Sequence, residues 1–254
     1  MKKNLKNNYS VRTFLIICLT IFFAIPIFAT SSTVESISNI DWVSRNFTSK
    51  ISLDTEKAKL KMPSGKKKAS YTIKSKMPQL IQEPLLSLYA DSKYSLDDFV
   101  ISEDLSLDEV HSFIMNGYKT PDVFSTDIKK LNTTNTLQID QIGKNLVKHK
   151  DPYEPELPID LIPSRAFSGI IIDARGLYPV HGEYIKSETY PCFFPKIWDE
   201  NMNTIYEKSM VLPEIIEENG LVFYDYSDDP KRYVNRVGYD PLYIKAQKVF
   251  GRNR

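Results

Sequence analysis

A chain of 254 residues with 42% apolar and 26% charged side chains sits near the globular average, which excludes collagen, coiled coil and wholesale disorder. Its 33 basic and 32 acidic groups leave a net charge of +1, without the basic excess of a nucleic-acid binder. Catalysis is not legible in the residues, whereas compartment and organisation are.

Residues 1–29 predict a signal peptide. Lys2, Lys3, Lys6 and Arg12 form a basic start with no acid, and an apolar run follows over residues 14–28. At about 15 residues that run fits the core of a signal peptide better than a spanning helix, which needs roughly 20. Pro26 and Ala29 place cleavage before Thr30, which would leave 225 residues and, with four basic groups removed, a net charge of −3. The alternative is an uncleaved N-terminal anchor. Cys18 lacks the small preceding residue that lipid attachment favours. Cleavage leaves Cys192 alone, so the mature chain has no internal disulfide and rests on a hydrophobic core. The expected location is the periplasm or the envelope.

Residues 30–50 are serine-rich and polar and are expected to form a leader. An N-terminal α/β region is expected over 51–150. Ala58, Leu60 and Met62 alternate with Lys57, Lys59 and Lys61, the period of a half-buried strand, and Tyr71 and Ile73 resume it on a second strand after the turn at Pro63-Ser64-Gly65. The lysines of this stretch could touch anionic lipid or glycan, but the favoured reading is a solvated strand face. A short helix is expected over 79–89, limited by Pro84. Residues 106–116 give the clearest helix: Ser106 and Glu109 form a capping box, Leu107, Val110 and Ile114 share a face, and Gly117 supplies a left-handed stop. Leu137, Ile139 and Ile142 mark a further strand or short amphipathic segment.

Three prolines between Asp151 and Pro158 predict an exposed connector over 151–164. Beyond it, residues 165–254 read as strand-rich. The run Ser168-Gly-Ile-Ile-Ile-Asp173 predicts a strand buried on both faces. Residues 192–198, 204–206, 221–226 and 242–249 are further strand candidates. The fold class expected is α+β, a small N-terminal α/β part followed by a strand-rich C-terminal part.

Few residue groups carry chemistry. Gly65-Lys66 lacks the rest of a phosphate loop. His111, His149 and His181 show no metal-ligand spacing, and Asp225, Asp228 and Asp229 lack the calcium-loop pattern, so no metal or other cofactor is expected. Cys192 with His181 could make a thiolate nucleophile, but Phe193 and Phe194 give the thiol an apolar, inert setting. Asp173-Ala174-Arg175-Gly176 is the most conspicuous motif: a carboxylate and a guanidinium that clamp a ligand, or a salt bridge that closes a strand end while Gly176 turns the chain.

The same residues carry a family resemblance. Ser168-Gly-Ile-Ile-Ile-Asp-Ala-Arg-Gly-Leu177, Pro195-Lys-Ile-Trp-Asp-Glu200, Thr204-Ile-Tyr206, Arg236-Val-Gly238 and Pro241-Leu-Tyr-Ile-Lys-Ala246 resemble, in order, the FlgP-like bacterial envelope proteins, over roughly residues 165–250. The stretches 53–65 and 84–92 resemble the N-terminal half of long, spirochaetal-type members. The resemblance implies an exported envelope protein of diderm bacteria, associated with flagellar basal structures and motility, with no cofactor and no catalytic residue. Asp173, Arg175, Gly176, Pro195, Arg236 and Gly238 are then motif and interaction residues. The family pattern continues beyond the position of Asn253, so an open edge on the C-terminal sheet is expected, with self-association or an envelope partner. A cell-wall-acting enzyme using Asp173, Arg175 and His181, and a periplasmic ligand-binding module, are the competing readings.

Overall fold

Strands β1 (Val34–Asp41) and β2 (Asn46–Asp54) form an antiparallel hairpin in full register, from Val34 opposite Leu53 to Asp41 opposite Asn46. The computed structural model describes residues 33–154 and 165–251, so the expected signal peptide and most of the proline connector lie outside the described residues. The polar leader expected over 30–50 is, from Val34 onward, this hairpin. Its alternation was hidden because two of the four inward positions of β1, Ser36 and Ser38, are serines. Ser38 and Ser49 hydrogen-bond each other at 2.8 Å, which satisfies hydroxyls placed where apolar side chains would have marked the strand.

β5 (Lys130–Gln138) pairs antiparallel along the whole of β2, and the short strands β3 (Tyr118–Lys119) and β4 (Val123–Phe124) pair with β5. One face of this five-stranded sheet buries Val34, Phe47, Ile51, Leu53, Leu131 and Leu137. Helix α1 (Lys66–Leu86) packs on β1 and β2, and α3 (Leu107–Asn116) packs on α1 and β5.

α1 replaces the strand expected around Tyr71–Ile73 and takes in most of the short helix expected over 79–89, while the strand expected around Lys57–Lys61 is not formed. Residues 55–65 are turns and irregular chain, in which the six-residue alternation was coincidental. The longer pattern decides: Ala69, Ile73, Met77, Ile81 and Leu85 recur every fourth residue and are all buried. The four larger ones contribute about 1.5–3 kcal/mol each, enough to carry the helix through Pro78 and Pro84, each of which costs ~3 kcal/mol in a helix interior.

α2 (Leu96–Ile101) and α3 start on acid-rich first turns. The capping box of α3 forms as expected: Ser106 Oγ accepts from the Glu109 N–H at 3.2 Å, and Glu109 accepts from the Ser106 N–H at 2.8 Å. Two details differ. Leu107 is 45% exposed, so the buried face is Val110 and Ile114. Gly117 has φ −57°, not a left-handed value; it is glycine because a Cβ there would overlap the side chains of Asn135 and Leu137. Leu137 lies one residue before the end of β5, while Ile139 and Ile142 lie at α4 (Asp140–Asn145), and all three are buried.

The later part is built of short pieces, in keeping with the α+β class. β6 (Gly169–Asp173) pairs in parallel with β11 (Pro241–Lys245), β7 (Tyr178–Pro179) with β8 (Lys186–Ser187), and β9 (Ile197–Trp198) with β10 (Thr204–Tyr206). Helices α5 (Pro213–Asn219) and α6 (Val234–Val237) lie between. The strand expected over 192–198 shrinks to Ile197–Trp198, that over 242–249 to Pro241–Lys245, and 221–226 is irregular. Their apolar residues serve differently: Phe193, Phe194, Ile216 and Leu221 enter the same buried cluster as the N-terminal sheet and α1. A separate small cluster joins Tyr178, Val180 and Val249. β6 is not buried on both faces, since Ile170 is 49% exposed, and β11 is its one strand neighbour among the described residues.

Candidate functional site

The Asp173-Arg175 motif closes the C-terminal end of β6. Arg175 Nε donates to Asp173 Oδ1 at 2.8 Å and Nη2 donates to Oδ2 at 3.1 Å, a two-pronged pair. Nη1 reaches Asp228 Oδ1 at 2.7 Å. These bonds from the Arg175 guanidinium and its backbone N–H hold the Asp173 carboxyl down to about 2, and the two carboxylates hold the guanidinium firmly protonated. All three groups are solvent-exposed, so the ion pairs themselves stabilise the fold little.

The backbone of the motif is more tightly used than its charges. The Asp173 carbonyl accepts from the Ala246 N–H at 2.9 Å, the Ala174 carbonyl from Thr189 Oγ1 at 2.8 Å, and the Arg175 carbonyl from the Tyr178 hydroxyl at 2.8 Å. Gly176 then turns the chain at φ +115°. Three consecutive carbonyls thereby tie β6 to β11, to the segment after β8 and to β7, so the geometry favours the structural reading of this motif.

The Arg236-Val237-Gly238 turn docks on the start of β6. Ser168 Oγ donates to the Val237 carbonyl at 2.6 Å and accepts from the Asp240 N–H at 2.9 Å. A Cβ on Gly238 would stand 2.6 Å from Ser168 Cβ, and one on Gly169 would stand 2.7 Å from Val237 Cα, so each glycine admits the other segment's backbone. Arg236 points elsewhere: Nη2 donates to the Gly220 and Leu221 carbonyls at 2.9 and 3.3 Å. Pro195 is half-buried between the buried Phe194 and Lys196, whose ammonium pairs with Glu207 at 3.0 Å. The six motif residues thus form two groups: Asp173, Arg175, Gly176 and Gly238 frame the β6–β11 pair, whereas Arg236 holds the chain after α5 and Pro195 follows the buried Phe194.

The catalytic pairings considered from sequence are not assembled. His181 donates its backbone N–H to the Val249 carbonyl and sets its ring edge-on to Phe250, with centroids 5.8 Å apart. Cys192 is buried, and burial pushes its thiol up to about 12. The Tyr224 hydroxyl accepts from the Cys192 N–H at 3.1 Å and donates to the Cys192 carbonyl at 2.9 Å.

Sequence reasoning missed the junction around that cysteine. Trp42, in the turn between β1 and β2, sets its ring edge-on to Phe193 and Tyr224, at 5.4 and 5.7 Å between centroids. Arg45, in the same turn at φ +55°, donates to Asp140 Oδ1 at 3.2 Å and to the Asn219 carbonyl at 3.0 Å. Lys208 holds its ammonium 4.9 Å over the Phe194 ring and 5.7 Å from that of Phe99, and burial pulls its pKa down. The cavity lined by Trp42, Cys192, Phe193 and Tyr224 measures about 40 Å³, room for a water molecule and not for an organic ligand. Polar-rich flanks around isolated aromatics gave no periodic signal for this junction.

Two family models match the chain in order. Residues 33–145 match the N-terminal domain of Treponema pallidum Tp0624, and residues 169–254 match the second domain of Tp0624. The first match covers the five-stranded sheet with its helices, and the second begins at the first residue of β6. No curated protein matches the chain. Both parts are therefore similar to successive domains of one spirochaete protein.

Proposed function

We propose that this chain is a non-enzymatic structural or assembly protein of the cell envelope, exported to the periplasm, that works by joining copies of itself or an envelope partner. The observation that carries the reading is the β6–β11 pair. Ile170, Ile172, Leu242 and Ile244 lie on one face of this two-stranded parallel ribbon, and none of the four is buried. Parallel strands are ordinarily buried on both faces, and two strands alone are marginal in water. Among the described residues, no third strand pairs with either outer edge. An open edge beside an aliphatic face suits strand addition by a second chain.

Export is supported by the basic start and apolar run of residues 1–29. The flagellar part of the proposal, association with the basal structure and a role in motility, is supported by the sequence resemblance alone. Sedimentation of the purified chain at micromolar concentration tests the assembly reading. Oligomers are expected, and I170E/I244E is expected to dissociate them. A folded wild-type monomer at every concentration would sink it. Swimming and basal-body images of a gene-deletion strain test the flagellar part, and wild-type behaviour in both would remove it.

A further inference from the structure

Residues 57–76 carry eight lysines and no acid, and all eight are exposed. Among the described residues only Lys57 has an ion-pair partner, Asp54 at 4.0 Å, and Lys66 lies 5.6 Å from the Phe124 ring. The fold concentrates these charges. Lys57, Lys59 and Lys61 lie in the turn after β2, and Lys66, Lys67 and Lys68 form the first turn of α1. Lys74 lies on the same exposed helix surface as Lys67 and Tyr71, and its charge helps to depress the Lys119 pKa, after burial.

This arrangement runs against the helix that carries it. A helix N-terminus is the positive end of the backbone dipole and favours acids. α2 and α3 follow that rule with two acids each in their first turns. α1 has no acid there, three lysines, and no capping side chain on Gly65. Among the described residues only Asp54 and the Phe124 ring offset this like-charge crowding, so its complement is an external anion-rich surface.

The chain path says which surface. The Asp54 N–H donates to the Thr33 carbonyl at 3.0 Å, and the Lys57 N–H donates to Asp54 Oδ1 at 3.0 Å. The entry of the chain into β1 and the lysine turn therefore share one end of the sheet. In sequence, the apolar run of residues 14–28 ends five residues before Thr33, and five extended residues span at most ~18 Å. Where that run is retained as an uncleaved anchor, the sequence joins it to the fold at the lysine end of the sheet. Tyr71, 73% exposed among the lysines, has the amphipathic ring that suits the headgroup layer.

We propose that the lysine-rich end formed by the turn after β2 and the first turns of α1 docks on an anionic phospholipid surface. The proposal stands apart from the assembly reading, which needs only the β6–β11 ribbon. The test is sedimentation of the full chain with vesicles of phosphatidylglycerol and, separately, of phosphatidylcholine. The expected preference for phosphatidylglycerol is about a hundredfold at low salt, from roughly fivefold for each of about three engaged lysines, and it collapses near ~0.5 M salt. K67E/K68E/K74E should lose that preference while binding phosphatidylcholine as the wild type does and melting no lower. Equal binding to both vesicles, or an undiminished preference in the variant, overturns the proposal. So does salt-sensitive binding to an anionic glycan or an acidic protein without a lipid preference, which would assign the lysines to a polymer partner. Because the assembly reading is decided by oligomeric state, either idea can fail alone.

Discussion

Asn135, buried at the centre of β5, donates its side-chain amide to the Ile114 carbonyl at 2.8 Å and so satisfies an orphan acceptor in the last turn of α3. That bond fixes the helix close to the sheet, and Gly117 is the residue that permits the approach.

Gly117→Ala is therefore expected to destabilise the fold through overlap with Asn135 and Leu137, by about 1–3 kcal/mol. Gly176→Ala is the informative comparison, since a Cβ there meets nothing within 4 Å and only the positive φ is strained. Its cost should be about 1–2 kcal/mol. Urea denaturation of both variants checks the pair. An unaffected Gly117 variant would mean that α3 rides further from β5 than described.

The contrast also shows what the sequence could disclose. The capping box of α3 was readable because Ser106 and Glu109 act on adjacent backbone at fixed spacing. The reason for Gly117 was not, because it depends on a residue eighteen positions downstream in another element. β1 carries no apolar alternation because Ser36 and Ser38 occupy inward positions, where Ser38 bonds Ser49 on the neighbouring strand. α1 differs from the expected strands because the six-residue alternation falls in a turn, whereas the four-residue recurrence that marks the helix is spread over 21 residues. In the later part the motif residues were found, yet their carbonyls, which no sequence pattern marks, explain more of the geometry than their charged groups do.

Trp42 predicts how the two parts unfold. Its ring joins the β1–β2 turn to Phe193 and Tyr224, so Trp42→Ala removes contacts on both sides of the junction. The expected loss is about 3 kcal/mol. If the junction couples the parts, the wild type unfolds in one transition and the variant in two, followed by far-UV circular dichroism alongside Tyr fluorescence. A single, unshifted transition in the variant would show that Trp42 is not a coupling residue.

Asp173 supplies a pH test. Its carboxyl is depressed to about 2 by bonds from Arg175, below the ordinary unfolded value of ~3.9. A depressed carboxylate adds stability above the unfolded pKa, and that contribution is lost as the pH falls through the folded one. The pair should therefore weaken only between about pH 4 and pH 2. Carbon-detected NMR titration of the Asp173 carboxyl reads this directly, and Arg175→Met should raise the midpoint toward the ordinary range. A wild-type midpoint near ~4 would show the pair to be absent in solution.

The lysines of α1 make the sign of the last prediction unusual. Charge reversal at an exposed surface is commonly neutral or mildly harmful. Here Lys67 and Lys68 occupy the first turn of a helix whose N-cap, Gly65, offers no side chain. Replacing them with glutamate puts negative charge where the backbone dipole is positive and relieves repulsion among Lys66, Lys67 and Lys68. Each replacement should contribute about 0.3–1 kcal/mol, so K67E/K68E is expected to melt a few degrees above the wild type at low ionic strength. The gain should shrink in salt, because exposed charges are screened beyond roughly 8–10 Å. Lys74→Glu lies beyond the first turn and should leave stability nearly unchanged, which separates the dipole effect from a general loss of positive charge. Differential scanning calorimetry at two salt concentrations measures all three chains. A lowered melting temperature for K67E/K68E would show that the lysines stabilise the helix locally, and the argument that they are retained for an external anionic surface would lose its premise.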